Sequence, residues 1–173
     1  MDRVTDGGEG WRIDLQKKLC DLGIFWLDPT HKPIDIGVED TENRAKVVRL
    51  KELGRYEEAG EAYKSVRHVD LRMVDISDFL VVNIDLDVHA CGTYEELFLA
   101  NRQKKPIIVR MTQGKPHTPN WLLATIPHQM IFSTWGEVSE YLGRVATDEG
   151  VKPHNRWAFF DFNRCRRFGI NGL

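Results

Sequence analysis

The sequence has little cysteine. Cys20, Cys91 and Cys165 are its only three, and none pairs at the close spacing of a zinc or redox motif. Reduced thiols in a reducing compartment follow as the expectation, with no disulfide, no zinc and no other cofactor. Long apolar runs are also missing: nothing approaches the roughly 20 residues that would span a bilayer, and "MDRVTDGGEG" holds no hydrophobic segment able to act as a signal peptide. Nor is one charge sign in excess. Lys plus Arg number 24 against 26 Asp plus Glu, and the basic residues stay dispersed until "NRCRRFG", so nothing calls for a nucleic-acid partner. These absences predict a soluble, cytoplasmic protein without a membrane partner. With 173 residues, 42% of them apolar, the chain can build one sizeable core, and residues 1–173 are expected to form a single domain.

Apolar residues recur with two periods in alternation. In "WRIDLQKKLCDLG", Trp11, Leu15, Leu19 and Leu22 are spaced as one face of a short helix that stops at Gly23. "IFWLDP" is short, aromatic and closed by proline, which predicts a strand over Ile24–Leu27. The long stretch from Asp40 to Asp78 predicts two helices, broken near Gly54, the second ending around Ser77. "FLVVNID" predicts a strand buried on both faces, because its apolar residues do not alternate with polar ones. "TYEELFLANRQKK" follows as a helix, "PIIVRM" and "QMIFS" as strands, and "TWGEVSEYLGRVA" as the last helix. This order implies an α/β parallel sheet, strands Leu80–Ile84, Ile107–Met111 and Met130–Phe132 included, with helices on both faces. Such sheets bind ligands beyond the carboxyl ends of their strands, where Asp85, Asp87 and "CGTYEE" fall.

"CGTYEE" supports two readings. Thr93 followed three residues later by Glu96 has the spacing of a capping box, in which Thr93 accepts from the Glu96 N–H and the glutamate reaches back to the Thr93 N–H. Alternatively, several carboxylates gathered at the end of a buried strand repel one another, an arrangement retained where a substrate or proton uses it.

The segment Asp70–Val109, with "DLRMVDISD", "FLVVNID", "GTYEE", Ala100 and "KPIIV", resembles the nucleoside 2-deoxyribosyltransferase family, including its nucleotide N-glycosidase branch. The resemblance implies a flavodoxin-like sheet and cleavage or transfer at the N-glycosidic bond of a nucleoside or its 5′-monophosphate. Gly92 matches the motif glycine, and Glu96, four residues on, the nucleophilic glutamate. Asp70 matches the helix aspartate that handles the nucleobase. Asp85 and Asp87 both fall where the family places a further aspartate, and the register does not choose between them. One of these aspartates would stay protonated and donate to the departing base. Gly92 and Thr93 would offer helix-terminal N–H groups to a hydroxyl or phosphate, and His89 lies in the same loop. His68, two residues before Asp70, reads as a solvated helix-surface histidine.

Two features depart from the family pattern. Phe98 stands where the family has glycine, with the prospect of a reshaped pocket. The family also opens with an apolar strand before a glycine-containing loop. Here Asp2, Arg3, Gly7 and Gly8 look like that loop, with the first strand missing from this chain. Without the resemblance "DGGEG" is a plain terminus. The tail from residue 150 to 173, with "RWAFFDFNR", packs on its own core or docks on a neighbouring subunit. The resemblance implies at least a homodimer, since active sites in the family are completed by a second protomer. The rival expectation is a catalytically inactive α/β nucleotide-binding module.

Overall fold

Local signals end the helices where the sequence places them. α1 spans Gly10–Lys18 and passes through a 3-10 turn, Cys20–Leu22, to Gly23, whose φ of 64° is the left-handed conformation glycine adopts past a helix end. α2 spans Thr41–Glu52, Gly54 turns the chain at φ 72°, and α3 runs over Tyr56–Ile76. β1 (Leu80–Ile84), α4 (Cys91–Arg102), β2 (Ile107–Met111), α5 (Asn120–Thr125), β3 (Ile131–Phe132) and α6 (Trp135–Ala146) complete the order. The computed structural model describes residues 8–32, 34–38, 41–147 and 156–159. Asp2, Arg3, Gly7, Cys165 and most of the expected tail lie outside the described residues.

The three strands are parallel, in the order β1-β2-β3, with Leu80 opposite Ile107 and Val109 opposite Ile131. β2 is paired on both sides and covered on both faces, and it is correspondingly an almost unbroken apolar run. α4 packs on β1 and β2 with α3 against it, while α6 packs on β2 and β3 with α1 beside it. This is a flavodoxin-like α/β sheet with helices on both faces. A ladder of rings and guanidinium groups ties α1 to the sheet. Trp11 stacks on Trp135 of α6 with centroids 4.6 Å apart, Arg12 lies 4.6 Å from the Trp11 ring centre, and Arg110 of β2 lies 5.6 Å from that of Trp135. Part of the expected tail packs on the chain's own core. Trp157 is buried and its indole N–H donates to the Tyr141 hydroxyl at 2.7 Å.

Two expectations are corrected. Ile24–Leu27 is not a strand; the only pairing there is an isolated bridge between Asp28 and His31. Ile24 and Trp26 turn to the core while Phe25 is 85% exposed, so the strand-like alternation is present. The ladder is not, because no described strand lies beside the segment. The same lack leaves an edge of β1 open. Leu80 N–H donates to Pro106 O and Ile84 O accepts from Thr112 N–H, so Val81 and Asn83 turn their main-chain groups away from β2, where no described strand meets them.

The second correction concerns Thr93. α4 begins at Cys91, with Ala90 as its cap and no side-chain cap, so Thr93 already lies inside the helix and Glu96 beyond its first turn. The same S/T-x-x-E spacing does form a capping box at Thr134 and Glu137. There Thr134 keeps an extended backbone, its hydroxyl accepts from Glu137 N–H at 3.2 Å, and Glu137 accepts from Thr134 N–H at 2.9 Å. Thr134→Ala is therefore expected to cost about 1 kcal/mol in urea unfolding, whereas Thr93→Ala should show no capping loss.

Candidate active site

A cleft of about 1140 Å³ opens at the carboxyl ends of the strands and runs along the open edge of β1. Its walls combine apolar side chains, among them Leu15, Val82, Leu142 and Val145, with charged ones, among them Arg12, Arg67, Asp70 and Glu96. Helical spacing supplies one side: Tyr63, Arg67, Asp70 and Val74 recur every three or four residues on one face of α3, and Ser77, its C-cap, follows them. The start of α4 supplies the opposite side with Gly92, Thr93 and Glu96. The fold thus brings Asp70, Asp85, His89, Gly92, Thr93 and Glu96 to one cleft, and of the sites expected on described residues Asp87 alone is not in its wall.

The adjacent carboxylates of "CGTYEE" have different fates. Glu95 points to the rim, where Arg67 grips it with two hydrogen bonds, one of them 2.9 Å from Nε, and this contact lowers its pKa. Such an exposed pair contributes little to stability. Glu96 is half-buried and has neither a hydrogen bond nor an ion pair to any described residue. Burial of its carboxyl, reinforced by the nearby negative charge of Asp70, pushes its pKa up to about 7, against the opposing pull of Arg12 and Lys32.

Asp70 is held differently. Lys32, whose side chain is only 2% exposed, places its ammonium 2.7 Å from Asp70 Oδ1. An ammonium at that distance favours the carboxylate form, the opposite of what a proton donor to the base requires. On the other side of the strand ends, Gln113 donates from Nε2 to Asp85 Oδ1 at 2.7 Å and to Asp87 Oδ2 at 3.1 Å, and Asp87 N–H donates to Asp85 at 3.0 Å. Of the two strand-end aspartates, Asp85 lines the cleft, whereas Asp87 is exposed and outside its wall. Phe98 lies off the cleft, packed on the core and stacked at 6.4 Å on Tyr94, so it does not reshape the pocket. His68 is exposed and outside the cleft.

Several contributors escaped sequence reasoning. Arg12 lines the cleft beside Asp28, with Nε 3.7 Å from Asp28 Oδ1, and Gln16 donates to the same carboxylate at 3.0 Å. Both belong to α1, whose apolar spacing carries no sign of them. Gln113 lies just past the end of β2, a place where the strand-end rule does point. Nothing in "DPTHK" marks Lys32.

Among the described residues, no group of three or more His, Cys, Asp or Glu is placed to hold a metal ion, and no helix is long and apolar enough to cross a membrane. Comparison with protein-family models, with curated proteins and with solved structures gave no match to this chain.

Proposed function

We propose that the protein cleaves, or transfers at, the N-glycosidic bond of a (deoxy)nucleoside or its 5′-monophosphate, with Glu96 as nucleophile. One observation carries this reading: a partly buried carboxyl group, with no hydrogen bond or ion pair to any described residue, faces a cleft beside a second carboxylate. Desolvating a carboxylate without compensation is costly, and such groups cluster where chemistry uses them. The cleft volume exceeds the range that ordinarily holds a small ligand, so a nucleotide fits.

In the proposed reaction the Glu96 carboxylate attacks the anomeric carbon, the C–N bond breaks with its electron pair leaving on the base, and an ester to the sugar forms. Water entering the cleft protonates the departing base. Asp70, kept ionised by Lys32, accepts an N–H of the base and offsets positive charge on the sugar as the oxocarbenium-like state develops. A second water, or a second base, then takes the anomeric carbon from Glu96, giving its proton to the hydroxide left by the first water and freeing the Glu96 carboxylate, with hydrolysis or transfer as the outcome. A homodimer or larger homo-oligomer, with a neighbouring protomer closing the cleft, is part of the proposal.

The test is to incubate the protein with deoxynucleosides and deoxynucleoside monophosphates and measure free base by chromatography across pH. Because the attacking group must be ionised, kcat/KM should rise tenfold per pH unit below about 7 and level off above it. A profile that falls above pH 7 would make Glu96 a proton donor instead. Binding without release of base across the panel would leave a nucleotide-binding module.

A further inference from the structure

Lys32 stands outside the cleft wall, with its side chain only 2% exposed. Its surroundings are nevertheless built. Lys32 Nζ donates to Gly37 O at 2.5 Å, and Gly37 is pressed onto α3 so closely that a Cβ there would lie 2.6 Å from the Ser65 carbonyl oxygen. Gly37 also has a φ of 69°, a conformation that side chains with a Cβ rarely adopt. The loop bearing Lys32 is therefore seated on the helix that bears Asp70. The ammonium is held between a carbonyl of that loop and the carboxylate at the cleft.

We propose that Lys32 is a positioning residue that assigns charge within the carboxyl pair, holding Asp70 as the permanent anion and leaving Glu96 as the group that takes up and releases the proton. This deepens the function proposed above and rests on it for its catalytic meaning, but the charge assignment stands on geometry alone. Without a cation, two carboxyl groups facing one cleft share a proton, and their ionisations belong to the pair. With Lys32 in contact with Asp70 and acting on Glu96 only at longer range, the symmetry is broken. Asp70 has its cation at 2.7 Å, while Glu96 has none within ion-pair distance among the described residues. Among the described residues the other charges facing Glu96 are Arg12 from α1 and Glu95 from its own helix, the latter bound to Arg67.

The direct test follows the carboxyl carbons of Asp and Glu by ¹³C NMR as pH is varied, with each signal assigned by its Asn or Gln variant. In the wild type, Asp70 should titrate well below Glu96. In Lys32→Met, removal of a positive charge can only raise the pair's ionisation midpoints, and the upper one should move up by about one pH unit. Lys32→Arg should restore most of the wild-type order. The proposal is overturned if Asp70 titrates above Glu96 in the wild type, or if Lys32→Met leaves both midpoints where they were. Should Lys32→Met not fold, the wild-type titration alone decides. This readout needs no turnover, so a protein that cleaves no nucleoside could still confirm the charge assignment, and an active enzyme could still refute it.

Discussion

Glu96→Gln should lower turnover of a nucleoside or nucleotide by roughly 10⁴-fold or more, the scale on which removal of a nucleophile acts. That corresponds to about 5.4 kcal/mol of lost transition-state stabilisation. The amide keeps the size and shape of the side chain but supplies no anionic oxygen to attack the anomeric carbon. Substrate affinity should change little or improve, since a neutral amide beside Asp70 removes a like-charge repulsion that the ionised glutamate imposes. Had Glu96 been the third residue of a capping box, glutamine would have served nearly as well and the substitution would have been almost silent. Steady-state kinetics of both proteins on one substrate that the wild type cleaves make the comparison. Full activity in the variant removes Glu96 from the mechanism.

The same substitution should stabilise the folded protein, and only on one side of neutrality. A carboxyl group with a pKa near 7 in the fold, against an ordinary value of 4.5, holds its proton in the folded state over a range where the unfolded chain has released it. Between those limits the folded state binds more protons than the unfolded one, so stability falls as pH rises through the window. Below about pH 4.5 the group costs nothing; above about 7 the full penalty, about 3 kcal/mol, is present. Glutamine carries no such penalty. Thermal unfolding of Glu96→Gln should therefore match the wild type near pH 4.5 and exceed it by several degrees at pH 8. Equal melting temperatures at both pH values would mean that the carboxyl group is not desolvated. A residue that destabilises its own fold at neutral pH, with no hydrogen bond or ion pair to any described residue in return, is what the proposed catalytic role would account for.

The framework of the fold was legible because it rests on short-range signals. β1 and β2 read as strands from apolar runs that do not alternate with polar residues, although only β2 is buried almost throughout, and the break between α2 and α3 reads from Gly54. What failed depended on neighbours that a local pattern does not contain. Ile24–Leu27 has strand chemistry but no described strand to pair with. Thr93 and Thr134 head the same motif, yet only Thr134 has the extended backbone of a helix cap. At the site, Glu96, Asp70 and Asp85 were found from motif and strand-end position, and all three line the cleft. Lys32 was not found, because its significance arises when the seating of Gly37 on α3 brings a loop lysine to Asp70, some 38 residues along the chain.

The most direct measurement of the central claim is a covalent one. Wild-type protein incubated with a 2-fluoro-sugar nucleoside should accumulate a glycosyl ester, because fluorine destabilises the oxocarbenium-like state of both steps and can strand the intermediate between them. Trypsin would release Glu96 within the peptide Met73–Arg102, and fragmentation can separate it from Glu95 and from the aspartates on the same peptide. The account predicts one added fluorosugar, located on Glu96 and absent from Glu96→Gln. An adduct on another residue, or release of base with no adduct under conditions that trap the intermediate, would contradict it.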